Sequence, residues 1–129
     1  MNRLVVIIIL LGLLFSSCSN APYSPADDTT VNHVVLLWLK DPGNVQQQQQ
    51  IIEATRSLEE IPGVIKIRVG KKITSPRPIV DDSFSVGIHM LFADRIAMEN
   101  YLKHPEHTRT VTQSIMPFVD KIVIYDFEG

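Results

Sequence analysis

The sequence predicts an α+β fold of order βαββαβ, a ferredoxin-like antiparallel four-stranded sheet with helices on one face. Three observations predict it. Four short segments rich in β-branched and aromatic residues, 31–39, 65–69, 84–92 and 121–127, alternate with stretches of helical apolar spacing. Start and stop signals flank those stretches: Asn44 and Asp94 at the starts, Pro62-Gly63 and His104-Pro105 at the ends. The first and last strands are apolar on both faces, which a sheet covered on one side alone would leave exposed.

The first element is an address. Arg3 is the only charge among residues 1–17, and residues 4–15 form an apolar run interrupted only by Gly12. A bilayer-spanning helix needs about 20 such residues, so this run is short for a span. Phe15-Ser16-Ser17-Cys18 follows, with small residues beside the chain's one cysteine. The stretch resembles a bacterial lipoprotein signal: residues 1–17 would be removed and the Cys18 thiol acylated. The plainer alternative is an ordinary secretory peptide with an incidental cysteine. Each buried acyl CH₂ contributes about 0.8 kcal/mol, so two or three chains would hold the protein to a membrane. Residues 18–30, rich in Ser, Pro, Asp and Thr, read as a flexible tether. The expected location is the cell envelope, lipid-anchored and facing the periplasm or cell surface. Ser19, rather than Asp, after the acceptor cysteine favours an outer membrane where there are two.

The folded domain is expected over residues 31–127. VNHVVLLWL at 31–39 reads as a strand buried on both faces. Asp41-Pro42-Gly43-Asn44 turns the chain and Asn44 caps a helix over 45–61, with Ile51, Ala54, Leu58 and Ile61 on its apolar stripe. Ile65, Ile67 and Val69 alternate with Lys66 and Arg68 in a second strand. A loop with Ser75-Pro76-Arg77-Pro78 leads to a third strand over 84–92. Asp94 caps a second helix whose inner face carries Met98, Tyr101 and Leu102. Pro105 disfavours a helical His104 and can open a further segment as its first residue, with Val111 and Ile115 inward. KIVIYDF at 121–127 is the last strand. With strands 1 and 4 apolar on both faces, two sheets packed face to face would bury the second face, so a twofold homodimer is expected.

Composition narrows the function. The net charge of −2 leaves no basic footprint for nucleic acid. One cysteine excludes an intrachain disulfide and a Cys-rich zinc site. No Gly-rich phosphate loop, nucleophile elbow or paired-carboxylate pattern is present, and no cofactor or metal is expected. Lys66, Arg68, Lys71 and Lys72 read as a solvated face. Of the four histidines, His33 starts the first strand, His89 lies on the outer face of the third, and His104 and His107 close the second helix. His33, Val35, Leu37, Val86, Ile88 and Met90 share the helix-facing side of the sheet. Together with Tyr101, His104 and His107 they outline a mostly apolar site with polar tips, the usual construction of a small-molecule pocket. His104 can also cap the segment after it. Tyr101 can be read as a core aromatic whose hydroxyl satisfies His107, or as chemistry.

The segment Tyr101-Leu102-Lys103-His104-Pro105-Glu106-His107, with His33 and the element order, resembles the stress-responsive A/B barrel family of the dimeric α/β barrel superfamily. The resemblance implies a homodimer binding a small apolar or aromatic molecule. In that family a Tyr and the second His of the motif act in polyketide cyclisation, which places catalytic roles on Tyr101 and His107. The strand-1 pocket histidine matches His33, and a third-strand pocket histidine is Val86 here. Two functions follow as expectations: a lipid-anchored ligand-binding dimer, or a cofactor-free proton-transfer enzyme, cyclase-like or isomerase-like, using Tyr101 and His107.

Overall fold

A computed structural model of the chain describes residues 29–129. The expected signal over 1–17, Cys18 and all of the tether but Thr29 and Thr30 lie outside the described residues. Thr30 is already joined to the domain, since its carbonyl accepts from Gly129 N at 3.0 Å. No helix among the described residues is long and apolar enough to cross a membrane.

Strand β1 (Val31–Leu39) is followed by α1 (Val45–Ser57) and a 3₁₀ turn at Leu58–Glu60. Next come β2 (Val64–Lys71), β3 (Val86–Phe92), α2 (Arg95–Lys103) and α3 (Pro105–Thr110). A π-helical turn (Val111–Ile115) and a 3₁₀ turn (Met116–Phe118) lead into β4 (Val119–Glu128). The strands form one sheet in the order β2-β3-β1-β4. Every neighbouring pair is antiparallel. This is the expected ferredoxin-like βαββαβ fold.

The caps act where the residues predicted them. Asn44 Oδ1 accepts from Gln47 N at 3.0 Å, and Asp94 Oδ1 accepts from Ala97 N at 2.7 Å, each satisfying a helix-start donor that has no intrahelical partner. Gly63 sits at φ +95°, a left-handed conformation that suits glycine and ends the α1 segment before β2.

The core lies between the sheet and the helices. Alternate residues of β1 and β3 are buried, and Leu37, Ile51, Leu58 and Phe92 are almost fully enclosed. Each such side chain contributes about 1.5–3 kcal/mol by leaving water. Cross-strand pairs set the shared face: His33 opposite Met90, Val35 opposite Ile88, Leu37 opposite Val86.

Several expectations are corrected. The α-helix ends at Ser57, and residues 58–60 tighten to a 3₁₀ turn. Its buried stripe runs Ile51, Ile52, Thr55 and Leu58, with Ala54 only half-buried. In β2 the register shifts between Val64 and Lys66, so Val64 pairs with Phe92 and Lys66 with Leu91. Ile65 is the extra residue of that bulge and is exposed, while Val64 takes the inner face with Ile67 and Val69. The third strand starts at Val86, and the last spans Val119–Glu128.

Among the described residues, no helix covers the opposite face of the sheet. Val34, Leu36 and Trp38 of β1 stand there half-buried beside Val123, with Tyr125 and Phe127 exposed. Phe84 lies over Gly87, where a Cβ would meet its ring at 3.2 Å, and packs edge-on against Trp38. Lys121 Nζ sits 4.3 Å from the centre of the Trp38 ring. His89 bonds Asn32 through its Nε2 at 2.9 Å on this outer face.

Candidate functional site

The break at Pro105 builds the site. In a continuous helix Glu106 N would donate to Leu102 O. Pro105 instead follows an extended His104 (φ −66°, ψ 134°), and the α-helix stops. His104 Nδ1 accepts from Glu106 N at 3.2 Å, so its ring is the N-cap of α3. His107 Nδ1 donates to the vacated Leu102 carbonyl at 3.1 Å. The two histidines thus exchange one missing backbone bond for two side-chain bonds. The Nδ1 proton of His107 is thereby placed, leaving Nε2 with its lone pair. Burial holds the His107 pKa below the ordinary histidine value, the Leu102 bond opposes this, and the nearby His33 and His104 reinforce it.

Tyr101 projects from α2 into the core and is fully buried. Its ring lies 5.0 Å from Phe92 and 4.7 Å from His107, centre to centre. Its hydroxyl has no hydrogen-bond partner among the described residues. The structural reading in which that hydroxyl satisfies His107 is therefore corrected: the histidine's partner is the Leu102 carbonyl. Burial drives the Tyr101 pKa far above the ordinary phenol value, so this group donates a proton in a hydrogen bond and does not act as a base.

His33 is placed by β1 and Asp126 by β4, directly opposite each other in the sheet register. Their Nδ1 and Oδ1 atoms are 2.6 Å apart. A carboxylate only accepts, so Nδ1 carries the proton and Nε2 is left for another partner. The remaining polar group is Thr55 of α1. It is fully buried, and its Oγ1, like the Tyr101 hydroxyl, has no partner among the described residues.

His33, Thr55, Tyr101 and His107 border one cavity of about 140 Å³ between the sheet and the helices. His33, Val35, Leu37, Ile88, Met90, Tyr101 and His107 line it, as the sequence predicts. Two expected residues are absent from its wall. Val86 is packed into the core, and His104 is occupied as the cap of α3. Both ends of the π-helical turn, Val111 and Ile115, reach the cavity. Leu102, Met116, Ile122 and Ile124 are its partly exposed lining, which places the mouth beside the edge strand β4.

Sequence reasoning missed Thr55 and Asp126. A lone Thr between Ile51 and Leu58 on the inner stripe was the available signal for the first. For the second it was the antiparallel alignment of the first and last strands, which sets Asp126 against His33. Among the described residues, no group of three or more His, Cys, Asp or Glu is placed to hold a metal.

Fold and site define a class: a split βαββαβ domain holding an apolar cavity tipped by a tyrosine and two histidines. Within that class the chain belongs to the stress responsive A/B barrel domain family, whose model matches residues 31–129. A stress-response A/B barrel domain-containing protein of Arabidopsis thaliana is 25% identical over 99 residues, 75% of this chain. The chain spans only about 36% of that relative. A Dabb-family protein with a ferredoxin-like fold from Mesorhizobium loti superposes with a TM-score of 0.63 at 27% identity, covering 76% of this chain and 94% of its own. A dimeric ferredoxin-like protein of unknown function from Thermobifida fusca gives 0.66 at 18% identity, covering 80% and 93%. Hydroxynitrile lyase from Passiflora edulis gives 0.69 at 20% identity, covering 79% and 94%. At those identities the last two speak to the fold alone.

Proposed function

We propose that this protein is a homodimer, anchored to the cell envelope through lipid on Cys18, that binds a small apolar or aromatic molecule in the cavity between sheet and helices. The observation that carries the binding reading is the cavity itself, about 140 Å³ between sheet and helices, walled mostly by aliphatic side chains with His33 and His107 as polar points. The dimer is supported by the uncovered apolar face with Trp38, Tyr125 and Phe127, and by fold relatives described as dimeric. Membrane attachment is supported by the apolar run, the small residues and the placement of Cys18. Native mass spectrometry of the chain released gently from membranes tests all three: a lipid-modified dimer with an extra small mass is expected. A bare monomer of unmodified mass would overturn the reading.

A second reading is favoured by the proton inventory. Neutral His107 offers a base at Nε2, and Tyr101 offers a phenol donor. On a carbonyl ligand, His107 would take the proton next to the carbonyl while Tyr101 donates a hydrogen bond to the developing enolate oxygen. His107, protonated at Nε2 by that step, then returns the proton to another carbon of the enolate, so no net proton is gained or lost. In this reading His107→Ala abolishes turnover while thermal stability and ligand affinity stay nearly unchanged. A mainly structural loss in that variant would sink the enzyme reading.

A further inference from the structure

The two imidazoles in the cavity wall share one polarity. His107 Nδ1 donates to the Leu102 carbonyl at 3.1 Å, and His33 Nδ1 lies 2.6 Å from the Asp126 carboxylate. Carbonyl and carboxylate oxygens only accept, so each neutral ring carries its proton on Nδ1 and a lone pair on Nε2. Among the described residues, the enclosed side-chain atoms without a partner are the Tyr101 and Thr55 hydroxyls. The two Nε2 atoms are not enclosed in that way, and no hydrogen bond among the described residues reaches either. Both rings line the cavity.

In the ligand-free cavity a second proton on either Nε2 has nothing to meet. No Asp or Glu lines the cavity, and the wall is otherwise aliphatic, aromatic or thioether apart from the two enclosed hydroxyls. An imidazolium N–H there would stand unpaired in an apolar space. The open polar points are therefore acceptors, one from the sheet and one from the helix break. A ligand has to bring the donor. An ether oxygen would set lone pair against lone pair, and an anion would do the same with no Lys or Arg in the wall. His33 is the deeper of the two, at 5% exposure. The volume sets the size: an engineered apolar cavity of about 150 Å³ takes up one benzene ring, and this one is about 140 Å³.

We propose that the cavity selects a neutral single-ring compound with a donating hydroxyl, of the phenol class, whose O–H is received by Nε2 of His33. Asp126 is then a positioning residue: it holds the His33 proton on Nδ1 and so keeps the cavity side of the ring an acceptor. This rests on the ligand-binding reading above and narrows it to a chemical class.

The test titrates the full chain in detergent micelles with the cresols, anisole and benzoate, by calorimetry blanked against micelles. Cresol and anisole are isomers, and only cresol donates a hydrogen bond. At least one cresol is expected to bind about tenfold more tightly than anisole, the size of one net hydrogen bond. Benzoate is expected to bind more weakly than that cresol. Imidazole nitrogen chemical shifts of the wild-type chain should show His33 protonated at Nδ1 alone, with its Nε2 signal moving when cresol is added. His33→Phe keeps a ring and removes the lone pair, so it should erase the cresol advantage. Asp126→Ala should let the His33 proton shift toward Nε2 and shrink the advantage, a change that loss of packing alone would not produce. The wild-type series and spectra decide the matter if a variant folds poorly. Anisole binding as tightly as every cresol, a preference that survives His33→Phe, or a wild-type His33 protonated at Nε2 overturns the inference and leaves the ligand reading standing. An unchanged tautomer and preference in Asp126→Ala overturns the role of Asp126. Benzoate binding more tightly than any cresol overturns the requirement for neutrality. Failure of every probe to bind overturns both the inference and the reading it rests on.

Discussion

His107 and Tyr101 are both pushed by burial toward their neutral forms, and they respond to opposite ends of the pH scale. The folded-state pKa of His107 lies below its unfolded value near 6.5. Between those two values the unfolded chain binds more protons, so the contribution of His107 to stability is present above about pH 6.5 and is lost as pH falls through the folded value. Urea midpoints measured between pH 7.5 and 5 should fall on acidification, and His107→Gln should flatten that part of the curve. An unchanged slope in the variant would place the titration elsewhere. For Tyr101, removing the partnerless hydroxyl removes a desolvation cost. Tyr101→Phe should stabilise the protein by about 1 kcal/mol, read by thermal melts. A less stable Tyr101→Phe protein would mean that the hydroxyl has a partner in solution.

At the scale of elements, the α2–α3 break orients the site. Pro105 denies α2 its continuation, and the freed Leu102 carbonyl is what holds His107. Pro105→Ala restores an N–H and removes the clash, so α2 can run on and reclaim that carbonyl through Glu106 N. The expected result is a small gain in helix by circular dichroism and, in the enzyme reading, loss of turnover with ligand affinity nearly unchanged. His104→Ala should cost about 1 kcal/mol through the lost cap of α3, measured by denaturant unfolding. How much of this was legible follows from locality. The caps at Asn44 and Asp94, the stop at Gly63 and the break at Pro105 each depend on residues within one turn, so the sequence alone indicates them. The bulge that swaps Ile65 for Val64 depends on how β2 registers against β3, and simple alternation misassigns it.

For the whole molecule, the two faces of the sheet have different fates. One is covered by helices and encloses the cavity. The other leaves Tyr125 and Phe127 exposed in a single chain beside half-buried Leu36 and Trp38. If the proposed dimer closes on this face, Tyr125→Glu combined with Phe127→Glu should leave the protein monomeric by light scattering, with little change in the fold of each chain. Those positions are exposed in the single chain, so the charges cost little there and much in a closed interface. A dimer that survives both charges would move the interface off this face.

The βαββαβ order, the helix limits near their caps and the tyrosine–histidine segment follow from local chemistry: propensity, capping and the missing N–H of proline act within a few residues. Tertiary structure alone decided the rest. Asp126 meets His33 because β1 and β4 pair in one particular register, across 93 positions of sequence. Thr55 came to border the site because the inner stripe of α1 packs onto the sheet and buries it there. Val86 and His104, both expected in the wall, were claimed by the core and by a helix cap. Register and side-chain rotation are set by what packs against a residue, and those neighbours come from distant parts of the chain.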